Sequence, residues 1–395
     1  MRIGILRDDP HSRHAEVNAF FHDGADFSVS LAEPELEHFF KERDFDGLIA
    51  ADAYKQKILS FMDRLDPAAE DAQAADCVIN REGILTGYNT GIYGFRDFLF
   101  VKDIPVKKRT VYLTEDGVNT AGYARVISQL GGTPVVCDDP QKIGDIAEQV
   151  QVIVHTGDQD VDLGMLPKLE TVIDLDAERF RTKLLSEAKQ LGKKAYGGLE
   201  IFVRQIWSAN CLFQGKTLDP FAAEECIREM RRRHRNIVLI GMPTSGKTTM
   251  TSILAERLHK PYVEIDEEIV KKTGLSIPEL FGKYQEEGFR KIESECIYEH
   301  RNDDGVIISC GGGVIKNEEN LKWLSERGLI FWMDRDLEKL FPTDSRPLSS
   351  SMDSLKEMYE ERRPLYEKYA DVRVDNNTTL EATAEAILEA ITKQP

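Results

Sequence analysis

The sequence predicts two α/β domains, each with a parallel sheet, and three observations lead there. Short apolar runs alternate with helix-length stretches along the whole chain, the signature of strand–helix–strand units. The length of 395 residues exceeds what a single hydrophobic core usually serves. In the second half a Gly-rich loop follows a strand-like run and precedes a helix-like one, the setting of a phosphate cradle rather than of an ordinary turn.

The elements follow in chain order. Met1-Arg2-Ile3-Gly4-Ile5-Leu6 runs directly into Asp8-Asp9-Pro10, so no leader or membrane span is expected and the protein reads as cytoplasmic. Thr110-Val111-Tyr112-Leu113, Pro134-Val135-Val136-Cys137, Gln151-Val152-Ile153-Val154 and Thr171-Val172-Ile173 read as strands of a first nucleotide-fold half. Between the halves lies Arg228-Glu229-Met230-Arg231-Arg232-Arg233-His234-Arg235. We read it as the solvated end of a helix, where cations complement the dipole, in preference to a docking patch for an acidic partner. Ile237-Val238-Leu239-Ile240, Tyr262-Val263, Val306-Ile307-Ile308 and Ile330-Phe331-Trp332 read as strands of the second half, with a helix from Met250 to His259.

The loop Gly241-Met242-Pro243-Thr244-Ser245-Gly246-Lys247-Thr248-Thr249 fits G-x-x-x-x-G-K-[ST]. Its glycines let backbone N–H groups turn toward an anion, and the helix behind adds its positive end. Lys247 then reaches the β- and γ-phosphates and the Thr248 hydroxyl ligates Mg²⁺. Thr244, Ser245, Gly246 and Thr249 complete the expected contact with a nucleoside triphosphate.

Charge bounds the partners. A formal net charge of −18 argues against nucleic acid and anionic membranes, so an anionic small substrate must meet local clusters of Arg and Lys. Cysteines 77, 137, 211, 226, 296 and 310 are scattered, with no C-x-x-C and no zinc spacing, which points to reduced thiols. Nothing in the sequence fixes an oligomeric state.

From about Asn236 to the C-terminus the chain resembles the shikimate kinases. Six landmarks occur in order. After the phosphate loop come Val263-Glu264-Ile265-Asp266-Glu267-Glu268-Ile269, Glu287-Gly288-Phe289-Arg290-Lys291-Ile292-Glu293, Ser309-Cys310-Gly311-Gly312-Gly313-Val314, Asp344-Ser345-Arg346-Pro347-Leu348 and Arg362-Arg363-Pro364-Leu365-Tyr366. The resemblance implies a P-loop fold of the nucleoside-monophosphate-kinase type, with flanking helices and a lid, over residues 236–395. It also implies transfer of the ATP γ-phosphate to the 3-hydroxyl of shikimate. Asp266 then holds the substrate hydroxyl, where a carboxylate can orient it and take its proton. Glu264 supports Mg²⁺ through water, in a position the family fills with Asp. Arg290 and Arg362 grip the substrate carboxylate, a planar fork on a planar anion, with Arg363 as the alternative if the register slips by one. Glu293 holds Arg290 one helical turn away. Gly311, Gly312 and Gly313 line the pocket, where three glycines after a strand suit a close backbone approach. Arg346 belongs to the lid and stabilises charge during transfer. Lys339 falls where the family often stacks an Arg on adenine.

Residues 1–228 resemble the shikimate dehydrogenases, a substrate-type part to about 100, a Rossmann-type part to about 200 and closing helices. Lys55, Asn89 in Gly87-Tyr88-Asn89-Thr90-Gly91, and Gln205 match family positions. The Asp that pairs with the catalytic Lys is Gly91 here, a substrate-binding Asn is Asp76, and the substrate-binding Tyr is Ala177. The dinucleotide loop reads Thr114-Glu115-Asp116-Gly117-Val118-Asn119-Thr120, which lacks closely spaced glycines and puts carboxylates beside the expected pyrophosphate. The expectation is a catalytically dead relative kept as a scaffold or regulatory module; a bifunctional enzyme and a ligand-sensing module are the alternatives.

Overall fold

The computed structural model describes residues 1–7, 12–22, 24–115, 117–137, 143–144, 146–157, 159–342, 348 and 351–393. The chain forms two compact units, Met1–Ile227 and Arg228–Pro395.

The first unit holds two sheets. One joins β1 (Arg2–Leu6), β2 (Ala25–Val29), β3 (Gly47–Ala50), β4 (Arg64–Leu65), β5 (Cys77–Arg81) and β6 (Ile84–Tyr88) in the order β2-β1-β3-β5-β6-β4. This sheet is mixed, with β5 antiparallel to both β3 and β6. The local cause is Glu82-Gly83, both at positive φ (54° and 82°), the backbone of a two-residue hairpin turn. The other sheet joins β7 (Thr110–Leu113), β8 (Thr133–Val136), β9 (Val150–His155), β10 (Thr171–Asp174) and β11 (Lys194–Tyr196), all parallel, in the order β11-β10-β9-β7-β8.

Among the described residues, eight helices accompany these strands: α1 (His14–Phe21), α2 (Glu33–Glu42), α3 (Pro67–Ala72), α4 (Thr90–Val101), α5 (Thr120–Gln129), α6 (Lys183–Gln190), α7 (Leu199–Gln214) and α8 (Pro220–His234). The basic run forms the last turns of α8, where Arg232 Nε and Nη2 donate to Glu229 at 2.8 Å each. Helices α4 and α7 cross closely at Gly94, whose absent side chain would lie 2.6 Å from the Gln205 backbone nitrogen.

The second unit is a single parallel sheet of β12 (Asn236–Ile240), β13 (Tyr262–Glu264), β14 (Ile307–Ser309), β15 (Gly328–Asp334) and β16 (Val372–Asp375), in the order β13-β14-β12-β15-β16. Every residue of β12 and β15 is buried, as expected of central parallel strands covered on both faces. The edge strand β16 escaped the sequence reading, because Val-Arg-Val-Asp offers only two apolar residues. Helices α9 (Lys247–Leu258), α10 (Ile265–Thr273), α11 (Ile277–Glu299), α12 (Glu318–Arg327), α13 (Met352–Tyr369) and α14 (Leu380–Lys393) complete it. Helix α9 begins at Lys247 rather than at Met250, since Gly246 with φ 91° turns the chain directly into it. Buried Trp332 stacks on Tyr366 of α13 (centroids 5.9 Å apart, 16° between planes) and locks that helix to the sheet. Among the described residues no cysteine is joined in a disulfide. Among the described residues no helix is long and apolar enough to cross a membrane.

The α4–α7 crossing gives a stability test. Gly94→Ala drives a methyl group into the Gln205 backbone, an overpacking expected to cost about 1–3 kcal/mol. Urea unfolding of the full chain checks it through a lower first midpoint; an unchanged midpoint would mean that the helices part without cost.

Candidate active site

The central strand β12 ends in the loop 241–246, and the loop opens onto the N-terminus of α9. Two glycines and one threonine take positive-φ backbone there: Gly241 (φ 151°), Thr244 (φ 59°) and Gly246 (φ 91°). Lys247 is buried and folds over the loop, Nζ donating to the carbonyls of Gly241 (3.0 Å) and Met242 (2.9 Å). The Ser245 hydroxyl is buried without a hydrogen-bond partner among the described residues. Asn376, just past β16, donates to the Ser245 carbonyl and braces the loop from behind. Thr248 and Thr249 stand exposed in the first turn of α9.

The Thr248 hydroxyl donates to Glu264 Oε2 (3.3 Å) at the end of β13. Burial pushes the Glu264 carboxyl above the usual carboxylate range, against the pull of the Ser309 and Thr248 hydroxyls. Its second oxygen, Oε1, is buried with no hydrogen-bond partner among the described residues. A hydroxyl beside an unsatisfied carboxylate oxygen, at the phosphate end of the loop, is a donor set that suits a hard divalent cation and its waters.

Asp266 sits in the first turn of α10, and the loop after β14 closes against it. The absent side chain of Gly311 would come within 2.9 Å of Asp266 Oδ1 and 2.8 Å of Glu293 Oε1. That of Gly313 would strike the Arg290 guanidinium, which lies directly against the Gly313 backbone. Gly312 faces the phosphate loop, its missing Cβ 2.9 Å from Pro243 Cδ. Close approach on three sides thus accounts for the triple glycine.

Two arginines complete the pocket. Helix α11 is broken at Gln285 (φ 58°, ψ −176°), and Arg290 projects from the segment beyond the break. Its Nη1 donates to Glu293 (2.8 Å) and its Nη2 to Glu286 (3.3 Å). Arg362 of α13 is 3% exposed and donates from Nη1 to the Gly312 carbonyl (2.8 Å). The Nε atoms of both arginines, and Oε1 of Glu293, are buried with no partner among the described residues. Pro243, Asp266, Arg290, Glu293, the three glycines and Arg362 therefore line one pocket, closed on its apolar side by Ile277, Phe281, Phe289 and Met358. Arg363 pairs with Glu367 on the surface (3.2 Å), and of the two neighbours it is Arg362 that lines this pocket. Arg346, with Asp344 and Ser345, lies outside the described residues. Lys339 is engaged elsewhere, donating to the Asn377 carbonyl (3.1 Å). The sequence reading missed Tyr366, whose hydroxyl donates to the Gly312 carbonyl (2.6 Å); its place one turn after Arg362 was the available signal.

In the first unit Lys55 is 3% exposed and bonded to Asp52 (2.6 Å), with the fully buried Asp76 at 3.8 Å. Burial works against the Lys55 charge, yet Asp52 and Asp76 outweigh it and hold the ammonium above the usual lysine range. Asp76, near Lys55, accepts from Thr90 N (2.6 Å), Thr90 Oγ1 (2.6 Å) and Gly91 N (2.8 Å). Asn89 caps α4 and is fully used, accepting from Ile92 N and donating to Ala74 O and Asn119 Oδ1. Gln205 is 7% exposed on α7. After β7, the Glu115 side chain folds across Gly157 and fills the space where a side chain of that glycine would stand. Asp116 lies outside the described residues.

Comparison with known proteins bears on both units. Residues 243–392 match the family model described as shikimate kinase. The shikimate kinase of Aquifex aeolicus (strain VF5) is 39% identical over 157 residues, 38% of this chain and 93% of that protein. That of Thermodesulfovibrio yellowstonii is 39% identical over 163 residues, 39% of this chain and 94% of that protein. The crystal structure of shikimate 5-dehydrogenase from Thermus thermophilus in complex with shikimate covers 58% of this chain and 98% of its own. Its TM-score is 0.52 at 23% identity, a likeness of fold. The chain thus joins a shikimate-kinase domain to a dehydrogenase-like fold.

Glu293 gives the site a pH signature. Burial outweighs the Arg290 charge and holds its carboxyl above the usual range. A carboxyl of that kind stabilises the fold fully below its unfolded pKa and loses that contribution as pH rises through its folded pKa. Glu293→Gln is expected to flatten the fall in thermal midpoint from about pH 4 upward. Midpoints measured across that range check it, and a slope equal to that of the unaltered protein would contradict it.

Proposed function

The chain belongs to the shikimate kinase family, and from that premise we propose that it transfers the γ-phosphoryl group of ATP to the 3-hydroxyl of shikimate. The observation that carries the reading is the convergence of Arg290 and Arg362 with Asp266 on one pocket walled by Pro243 of the phosphate loop. Two guanidinium groups with unused Nε donors suit a planar carboxylate. Asp266, across the pocket, suits the hydroxyl that attacks.

In the proposed reaction Asp266 orients the hydroxyl and takes its proton as oxygen bonds to the γ-phosphorus. The bond from phosphorus to the bridging oxygen breaks, and ADP leaves with the electron pair. The transferring group carries spread negative charge, so positioning and fixed positive charge supply most of the catalysis. Lys247 and the backbone N–H groups of the loop bring that charge, together with Arg346 as the family resemblance implies. Glu293 keeps the Arg290 fork in orientation by a charge-assisted bond. Mg²⁺ would be held by Thr248 and, through water, Glu264; when bound it neutralises phosphate charge.

For the first unit we infer a dehydrogenase-like fold without dinucleotide chemistry, supported by Glu115 lying over Gly157 at the ends of β7 and β9. The bifunctional reading, a chain that also reduces 3-dehydroshikimate with NADPH, has the buried Lys55–Asp76 pair in its favour.

Two measurements decide between these readings. Asp266→Asn is expected to lower shikimate-dependent ADP release about 100-fold or more while ATP binding persists; near-normal turnover would remove Asp266 from the mechanism. Shikimate-dependent reduction of NADP⁺ by the full chain, followed by absorbance, is expected to be nil. A steady rate would establish the bifunctional enzyme instead.

A further inference from the structure

Thr244 occupies a left-handed conformation (φ 59°) in the phosphate loop, a region that β-branched residues seldom enter and glycine enters freely. Its hydroxyl has one structural partner on both sides. The Phe341 N–H donates to Thr244 Oγ1 (3.2 Å), and that hydroxyl donates to the Phe341 carbonyl (3.2 Å). A single side chain therefore fixes both backbone polar groups of a residue 97 positions away. The neighbouring Leu340 is buried at 3% exposure, which anchors the segment, while the Phe341 ring stands 57% exposed. Lys339, the other candidate to meet a base here, is occupied by Asn377 and by Asp336 (3.5 Å).

A large apolar ring held in water beside a phosphate cradle loses the free energy of burial unless something covers it. A nucleotide with its phosphates in the cradle brings a flat π surface to the rim of that cradle. We propose that Phe341 is the platform on which the nucleotide base stacks, and that Thr244 holds this platform in register with the phosphate loop. The proposal rests on the kinase reading of the same loop. The strain at Thr244 is offset by its two hydrogen bonds, which a glycine could not make. Phe341 contacts the ligand directly; Thr244 acts as a positioning residue through it.

The test is equilibrium binding to the full chain of two probes, ADP and inorganic tripolyphosphate, which has no base. Phe341→Ala is expected to weaken ADP about tenfold, within the range of base–aromatic stacking, and to leave tripolyphosphate within about twofold. Phe341→Trp is expected to keep ADP affinity. Thr244→Val, which keeps the branched shape without the hydroxyl, should weaken ADP selectively in the same way, and Thr244→Ser should restore it. Unchanged ADP affinity in Phe341→Ala, or equal weakening of both probes, would overturn the platform. Selective loss of ADP in a protein that does not phosphorylate shikimate would uphold the platform and refute the substrate instead. An unaltered protein that binds neither probe would refute both.

Discussion

The carbonyl oxygen of Gly312 is the point on which the site turns. It accepts from Arg362 Nη1 (2.8 Å) and from the Tyr366 hydroxyl (2.6 Å), both on α13. Charge-assisted and buried, the first of these bonds is among the stronger kinds a protein makes. It sets the phase of α13 and aims the rest of the Arg362 fork into the pocket. The same peptide packs on Pro243, so the helix, the triple glycine and the phosphate loop form one continuous contact. Gly311 and Gly313 then pass beneath Asp266 and Arg290 with no room for a side chain. A substitution in this tripeptide would move the phosphate-loop side and the Asp266–Arg290 side of the pocket together.

The two units place a loop at the C-terminal end of a parallel strand, and the two loops differ in how their N–H groups are used. After β12, glycines leave the backbone open and α9 starts at once. After β7, side chains consume the loop: Gly117 N–H donates to Thr120 Oγ1 (2.8 Å), which donates to the Glu115 carbonyl (2.9 Å). Thr114 Oγ1 shares a hydrogen bond with His155 (3.1 Å) and accepts from Thr156 N (3.2 Å). The Gly117 N–H is thus used within the loop, and the Glu115 carboxylate lies over Gly157 beside it. The Lys55 cluster tells a different story. A side chain at 91 would sit 3.0 Å from Asp76 Oδ2, so an Asp there would face a like charge with no water between. Asp76 and Gly91 are therefore mutually consistent: a carboxylate lies near Lys55, and the missing side chain at 91 leaves it room.

Much of the second unit was legible because its chemistry is local. The phosphate loop, Arg290 with Glu293, and the triple glycine each compress a requirement into a few consecutive residues, and the central strands are uniformly apolar. What escaped depends on contacts across long stretches of chain. Phe341 meets Thr244 over 97 residues, and Asn376 meets Ser245 over 131; no spacing rule links such pairs. The choice between Arg362 and Arg363 needed the helix phase, which Trp332 and Tyr366 fix by stacking. In the first unit the glycine at 91 is plain in the sequence, whereas the approach of Asp76 to Lys55 and to the Gly91 N–H depends on the fold that brings residues 55, 76 and 91 together. The hairpin that makes the first sheet mixed was signalled by Glu82-Gly83, a cue outweighed by the parallel character of every other unit.

Charge explains how an acidic protein can hold acidic ligands. With a net charge of −18 the long-range field opposes an incoming nucleotide or carboxylate, but that field is damped beyond about 10 Å at moderate salt. Inside the pocket the balance reverses over bond lengths. Arg290 and Arg362 are held in low dielectric, where a fork on a carboxylate gains most, and each already carries acceptors that keep it from being buried unpaired. Glu286 and Glu293 neutralise Arg290 in part, which limits the cost of desolvating it. Nε of both arginines is buried with no partner among the described residues. Selection at this pocket therefore rests on geometry at contact rather than on attraction from a distance.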